Sequence, residues 1–138
     1  QAYLPHRFNQ RCVVYTGTHD NDTMAGFLDA ADRATQPHER EQLLRQRERA
    51  LAYSGSDGRE PHWDLIRSAL ASVANTAIFP IQDVLGQGTE ARMNVPGTPD
   101  GNWGYRLDPG LLSSNVAAKL ARLTETYERL PSSLRRDP

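Results

Sequence analysis

The densest group of chemically capable side chains is His19-Asp20-Asn21-Asp22, directly after the β-branched and aromatic run Cys12-Val13-Val14-Tyr15-Thr16 and its closing Gly17. In parallel α/β folds, ligands bind beyond the C-terminal ends of strands, and barrel catalytic groups come from those ends and the loops after them. An imidazole beside carboxylates and an amide suits the grip of a hydroxylated ligand or a cation. The competing reading is a polar turn whose Asn and Asp cap the next helix. Spacing alone leaves both open. A second group, Gln82-Asp83, also follows a strand-like run and leads into Glu90-Ala91-Arg92-Met93-Asn94. Glu90 and Arg92 read as a structural ion pair in preference to a catalytic couple. The third group is Gly101-Asn102-Trp103-Gly104-Tyr105-Arg106. Its aromatic faces beside Asn and Arg suit stacking on a sugar, and equally suit a small local core.

Other chemistries fit less well. Neither phosphate-binding glycine pattern occurs, and Gly86-Gln87-Gly88 is too short to count as one. A metal-dependent phosphohydrolase would add ligands to His19 and Asp20, but His6, His38 and His62 stand in polar or loop contexts without ligand spacing. Cys12, at the start of a strand, fits a buried inert thiol better than a nucleophile.

The elements that must position these groups follow from the pattern. Residues 12–16 read as a buried strand. Asp22 or Thr23 caps a short helix from Met24 to Leu28. Residues 36–53, dense in Arg, Glu and Gln, read as a solvated helix with Pro37 at its start and Gly55 as its stop. Leu43, Leu44, Ala50 and Leu51 form its narrow apolar stripe. Pro61 opens another helix, with Trp63, Ile66, Ala69, Leu70 and Val73 on one buried face. Residues 76–81 read as a second strand that ends at Pro80. Residues 86–112 form a long loop, in which Trp103 and Tyr105 argue for order. The last helix starts near Ser113 or Ser114, carries Val116, Leu120, Leu123 and Tyr127 along one face, and ends before Pro131. Two strands, each followed by helix, make a βαβα pattern of a parallel α/β sheet, too small to cover itself.

The run Val13-Val14-Tyr15-Thr16-Gly17-Thr18-His19-Asp20-Asn21-Asp22-Thr23 resembles the 4-α-glucanotransferases, or amylomaltases, which form glycoside hydrolase family 77 of the α-amylase clan. Pro80-Ile81-Gln82-Asp83-Val84-Leu85-Gly86 resembles a second block of that family. A third runs from Glu90-Ala91-Arg92-Met93-Asn94-Val95-Pro96-Gly97-Thr98 to Gly101-Asn102-Trp103, and the likeness extends over roughly residues 3–130. The resemblance implies an α/β fold that is the C-terminal part, about the last two βα units, of a (β/α)8 barrel. It implies a retaining transfer of α-1,4-glucan segments between maltooligosaccharides, with an Asp nucleophile and a Glu acid/base. Asp20 matches the family's third essential carboxylate, which stabilises the transition state, and His19 its substrate-gripping partner. Asn94 is expected at a substrate subsite, while Asp83 and Arg92 organise the loops. No cofactor and no metal are implied.

No other carboxylate here matches the nucleophile or acid/base motif, so residues 1–138 are expected to be a catalytic-barrel fragment, inactive without the barrel part upstream of Gln1. The alternative from another class is a non-catalytic α-glucan-binding or interaction module. Composition bounds the rest. Sixteen basic against 17 acidic side chains leave a net charge of −1, which gives no nucleic-acid footprint. With 138 residues and 38% hydrophobics the chain is lean, and too short for a complete barrel of about 250 residues. It holds no run apolar enough to span a membrane and no secretory pattern, and its one cysteine allows no internal disulfide, so a cytoplasmic location is the default.

Overall fold

The computed structural model describes residues 4–134, so residues 1–3 and 135–138 of the expected unit lie outside the description. Two strands, β1 (Val13–Tyr15) and β2 (Thr76–Ile78), pair in parallel with Val14 opposite Ala77. Between them run α1 (Met24–Leu28), α2 (Ala30–Arg33), α3 (Pro37–Ser54) and α4 (Pro61–Leu70). Beyond β2 come the short α5 (Ile81–Val84) and, after the long loop, α6 (Ser114–Thr126). The βαβα order is therefore the observed one. No helix among the described residues is long and apolar enough to cross a membrane.

Helix α4 is the centre of the packing. Its Trp63, Ile66 and Leu70 are buried with Val84, and Val116, Leu120, Leu123 and Tyr127 of the C-terminal segment pack against them. Ala69 joins Val14 and Ala74 in a second cluster beneath the sheet. Burying each large apolar side chain contributes about 1.5–3 kcal/mol, so α4 ties both strands to α6. Arg129 closes the α4 terminus: its guanidinium donates to the carbonyls of Leu70, Ser72 and Ala74 at 2.7, 2.7 and 2.8 Å. The Leu70 oxygen is one that a helix leaves unpaired at its end, where a cation is favoured, and Ser72 and Ala74 follow in the turn beyond it.

Helix ends obey local chemistry. Thr23 caps α1 by accepting from the Gly26 amide at 3.0 Å, Pro37 opens α3, Gly55 ends it at φ 63°, and Ser113 caps α6. Helix α3 is solvated, its leucine stripe only half-buried. Several expectations change. The strands are shorter than 12–16 and 76–81, because Pro80 caps α5 and the chain turns helical at Ile81. Strand β1 is buried on one face only: Val14 is 4% exposed, but Val13 and Tyr15 are 43% and 47%. The other face, which also carries exposed Ile78, has no covering layer among the described residues. Val73 is 52% exposed rather than part of the α4 face, since α4 ends at Leu70 and Arg129 takes the Leu70 carbonyl that a further turn would use. Cys12 is half-buried and its thiol donates to the Asn9 carbonyl at 3.0 Å.

Candidate active site

Residues 17–23 leave the end of β1 and enter α1, and the His19-Asp20-Asn21-Asp22 group divides by role. Asn21 folds the turn, its side-chain oxygen accepting from the Thr18 amide at 2.8 Å and the Thr18 hydroxyl at 2.9 Å. Asp22 turns inward. It accepts from the Thr23 amide at 2.9 Å, the Thr89 hydroxyl at 2.9 Å and Arg33 at 3.0 Å. Asn21 and Asp22 thus build the turn, but neither caps the helix, a part that Thr23 takes. His19 and Asp20 are left facing outward, with side chains 57% and 49% exposed.

Those two are held, although exposed. His19 Nε2 lies 3.4 Å from Asp20 Oδ1, and the same oxygen accepts from the Asn94 side-chain amide at 2.6 Å. Arg92 donates to the Asp20 carbonyl at 2.6 Å and to the Asn94 carbonyl at 2.8 Å. One guanidinium therefore ties the first motif to the third by charge-assisted bonds. The expected Glu90–Arg92 pair does not form: Glu90 folds back onto the Gly88 amide at 3.0 Å, and Arg92 is drawn to the carbonyls. Asn102 fastens the loop around them by accepting from the Val95 amide and donating to Thr98.

Trp103 supplies a wall. Its backbone sits at φ 61°, a conformation that costs a non-glycine residue on the order of 1–3 kcal/mol. A 2.7 Å bond from its amide to the Met93 carbonyl holds it there. The indole, 55% exposed, lies with its ring centre 5.3 Å from that of His19. Trp103 therefore belongs to the site and not to a local core. Tyr105 is tied into the loop by donating to Gln87 at 2.7 Å. The contacts of Thr89 and Arg33 with Asp22 had no signal in the sequence, since Gly-Thr-Glu and an Arg in a polar helix are common.

Beneath His19 lies a cavity of about 240 Å³, lined by Thr18, Asp22, Gln82, Asp83, Arg92 and Met93 among others. Asp83 is 1% exposed, and burial pushes its carboxyl above the usual range, against the lowering effect of bonds from Thr16 and Met24. A larger groove of about 480 Å³ lies against α4 and α6, away from these motifs. Its cations are already paired, Lys119 with Glu60, Arg67 with Asp64 and Arg59 with Asp57, and Lys119 covers the Trp63 ring. The cavity below His19 therefore has the stronger claim. Among the described residues no group of three or more His, Cys, Asp or Glu could hold a metal ion.

Known proteins resemble this chain over most of its length. A family model described as 4-alpha-glucanotransferase, glycoside hydrolase 77, matches residues 1–113. The 4-alpha-glucanotransferase of Thermus thermophilus is 46% identical over 133 residues, covering 93% of this chain and 25% of that protein. That of Synechocystis sp. is 43% identical over 129 residues, covering 92% and 23%. An amylomaltase from Streptococcus agalactiae, solved in complex with acarbose, superposes with a TM-score of 0.74 at 29% identity, over 91% of this chain and 23% of that one. The chain thus spans about a quarter of the length of these relatives.

Proposed function

The chain belongs to the 4-alpha-glucanotransferase family of glycoside hydrolase 77, and on that premise we propose that it is the part of a (β/α)8-barrel transferase that grips the reacting sugar. The observation that carries the reading is Asp20. Its half-exposed carboxylate stands beyond the C-terminal ends of two parallel strands, held by Asn94 and beside His19. That is where a barrel enzyme assembles its chemistry. The apolar sheet face of Val13, Tyr15 and Ile78 is what further barrel strands and their interior side chains would cover.

In the proposed reaction a maltooligosaccharide donor is cleaved with retention. An Asp upstream of residue 1 attacks the anomeric carbon while a Glu upstream gives its proton to the departing glycosidic oxygen. The same Glu then takes the proton of an acceptor hydroxyl, which displaces the enzyme and re-forms the α-1,4 bond. The covalent glycosyl-enzyme lies between these steps; in the transition state of each step the sugar becomes oxocarbenium-like, and hydrogen bonds to its 2-hydroxyl that tighten there contribute several kcal/mol. Asp20 accepts from the 2- and 3-hydroxyls, and His19 donates to one of them. The Asp20 carboxylate also faces developing positive charge, an electrostatic gain that grows as the site excludes water. Asn94 is released from Asp20 or shared with the sugar as the substrate enters.

Alone, the chain holds one of the three carboxylates and is expected to be inactive. The test is intact mass together with maltotriose disproportionation on the natively expressed gene product. A mass several times 15.4 kDa with release of glucose and longer oligosaccharides supports the proposal. A 15.4 kDa protein that binds α-glucan without turnover would replace it with a binding module.

A further inference from the structure

We propose, resting on the reading above, that Asp83 is a positioning residue that clamps the loop of Asp20 at both ends. Residues 17–23 carry the site, and one buried carboxylate bonds the residue on either side of them. Asp83 Oδ2 accepts from the Thr16 hydroxyl at 2.5 Å, at the end of β1. Asp83 Oδ1 accepts from the Met24 amide at 2.7 Å, in the first turn of α1. The two bonds fix where the chain leaves the strand and where it enters the helix. They leave the loop no freedom to slide along the sheet.

The clamp comes from the second βα unit, as do the other cross-links to this loop. Thr89 bonds Asp22, and Arg92 and Asn94 bond Asp20. Asp83 differs from these in burial. It is 1% exposed, so its two bonds meet no competition from water, whereas Asp20 and Asn94 are open to the ligand. Asp83 lies at the wall of the cavity below His19, but both of its oxygens are already engaged by Thr16 and Met24, so its part is to hold the loop and not to bond sugar.

The charges around it are consistent with this work. His62 of α4 lowers the carboxyl's proton affinity, Asp22 of the loop raises it, and burial has the largest effect, upward. A neutral group of the same shape can make the same two bonds. Asn at this position can accept from the Met24 amide and donate to the Thr16 oxygen, which keeps both links. Ala keeps neither.

The test compares Asp83→Ala, Asp83→Asn and Thr16→Val in the intact enzyme, with Asp20→Asn alongside. Asp83→Ala is expected to lower kcat on maltotriose by about tenfold to 10²-fold, the cost of a misplacement near 1 Å, with little change in KM. Asp83→Asn should stay within about threefold of wild type, a factor equivalent to under 1 kcal/mol. Thr16→Val, which frees one end and spares the fold if Ala does not, should fall between. Amide hydrogen exchange over residues 17–24 should quicken in Asp83→Ala and Thr16→Val but not in Asp83→Asn. Unchanged kcat and exchange in both disruptive variants, or a loss in Asn equal to that in Ala, would overturn the clamp. If Asp20→Asn remains active, the transferase reading fails, while the exchange measurement still decides the clamp.

Discussion

Gly26 sets two physical effects against each other, and their balance has a sign that can be measured. It lies within α1, so intrinsic propensity favours Ala there by about 1 kcal/mol. A methyl on Gly26, however, would fall inside contact distance of Asp22 Oδ1 and 2.5 Å from Thr89 Oγ1. Neither atom can simply swing away. Asp22 is held by the Thr23 amide, the Thr89 hydroxyl and Arg33, and Arg33 also donates to the Gly26 carbonyl at 2.7 Å. Overpacking costs about 1–3 kcal/mol, and each bond to a charged group that must lengthen is worth up to about 1.5–3 kcal/mol. After the propensity gain is subtracted, Gly26→Ala should lower stability by about 2–4 kcal/mol. Because Asp22 is two residues from Asp20, turnover should fall too. Equilibrium denaturation of the intact enzyme is the assay, with Gly104→Ala, where a methyl meets nothing within 4 Å, as the near-neutral control. A Gly26→Ala enzyme as stable as wild type, or more so, would refute the argument that Asp22 and Thr89 are immovable.

Two further outcomes follow from groups away from the ligand. Burial against Gly86 lowers the proton affinity of His62 below its ordinary 6.5, so its contribution to stability is full above pH 6.5 and is lost as pH falls through the lowered value. Stability–pH curves of His62→Gln should show a shallower acid limb than wild type; an identical limb would place the acid sensitivity elsewhere. Arg129→Ala removes the guanidinium from three carbonyls and should lower stability by about 2–4 kcal/mol, with KM for maltotriose unchanged and partial recovery in Arg129→Lys.

Much of the local order was legible in the residues. Pro37, Gly55, Thr23, Ser113 and Pro80 mark boundaries through backbone chemistry that needs only near neighbours. What the sequence hid depends on distant partners. Val73 continues the apolar spacing of α4, but Arg129, 59 residues beyond Leu70, takes the Leu70 carbonyl at its end. Val13 and Tyr15 have the composition of a buried strand, yet alternation gives Val14 to the helices and turns them to the uncovered face. At the site, the motif named His19, Asp20 and Asn94, and the fold brings all three together. The motif could not show that Asp22 faces inward, that Glu90 and Arg92 part, or that a strained Trp103 leans on His19.

The most direct test of the proposed role of Asp20 separates binding from chemistry in one variant. In the intact enzyme, Asp20→Asn keeps the shape of the side chain but removes the charge that meets the oxocarbenium-like sugar. Calorimetric affinity for maltotriose and steady-state disproportionation would be measured on the same preparation. A transition-state role for Asp20 predicts a kcat lower by about 10²–10³ or more with affinity within about tenfold of wild type. Turnover close to wild type would contradict it, as would a loss of affinity as large as the loss of rate.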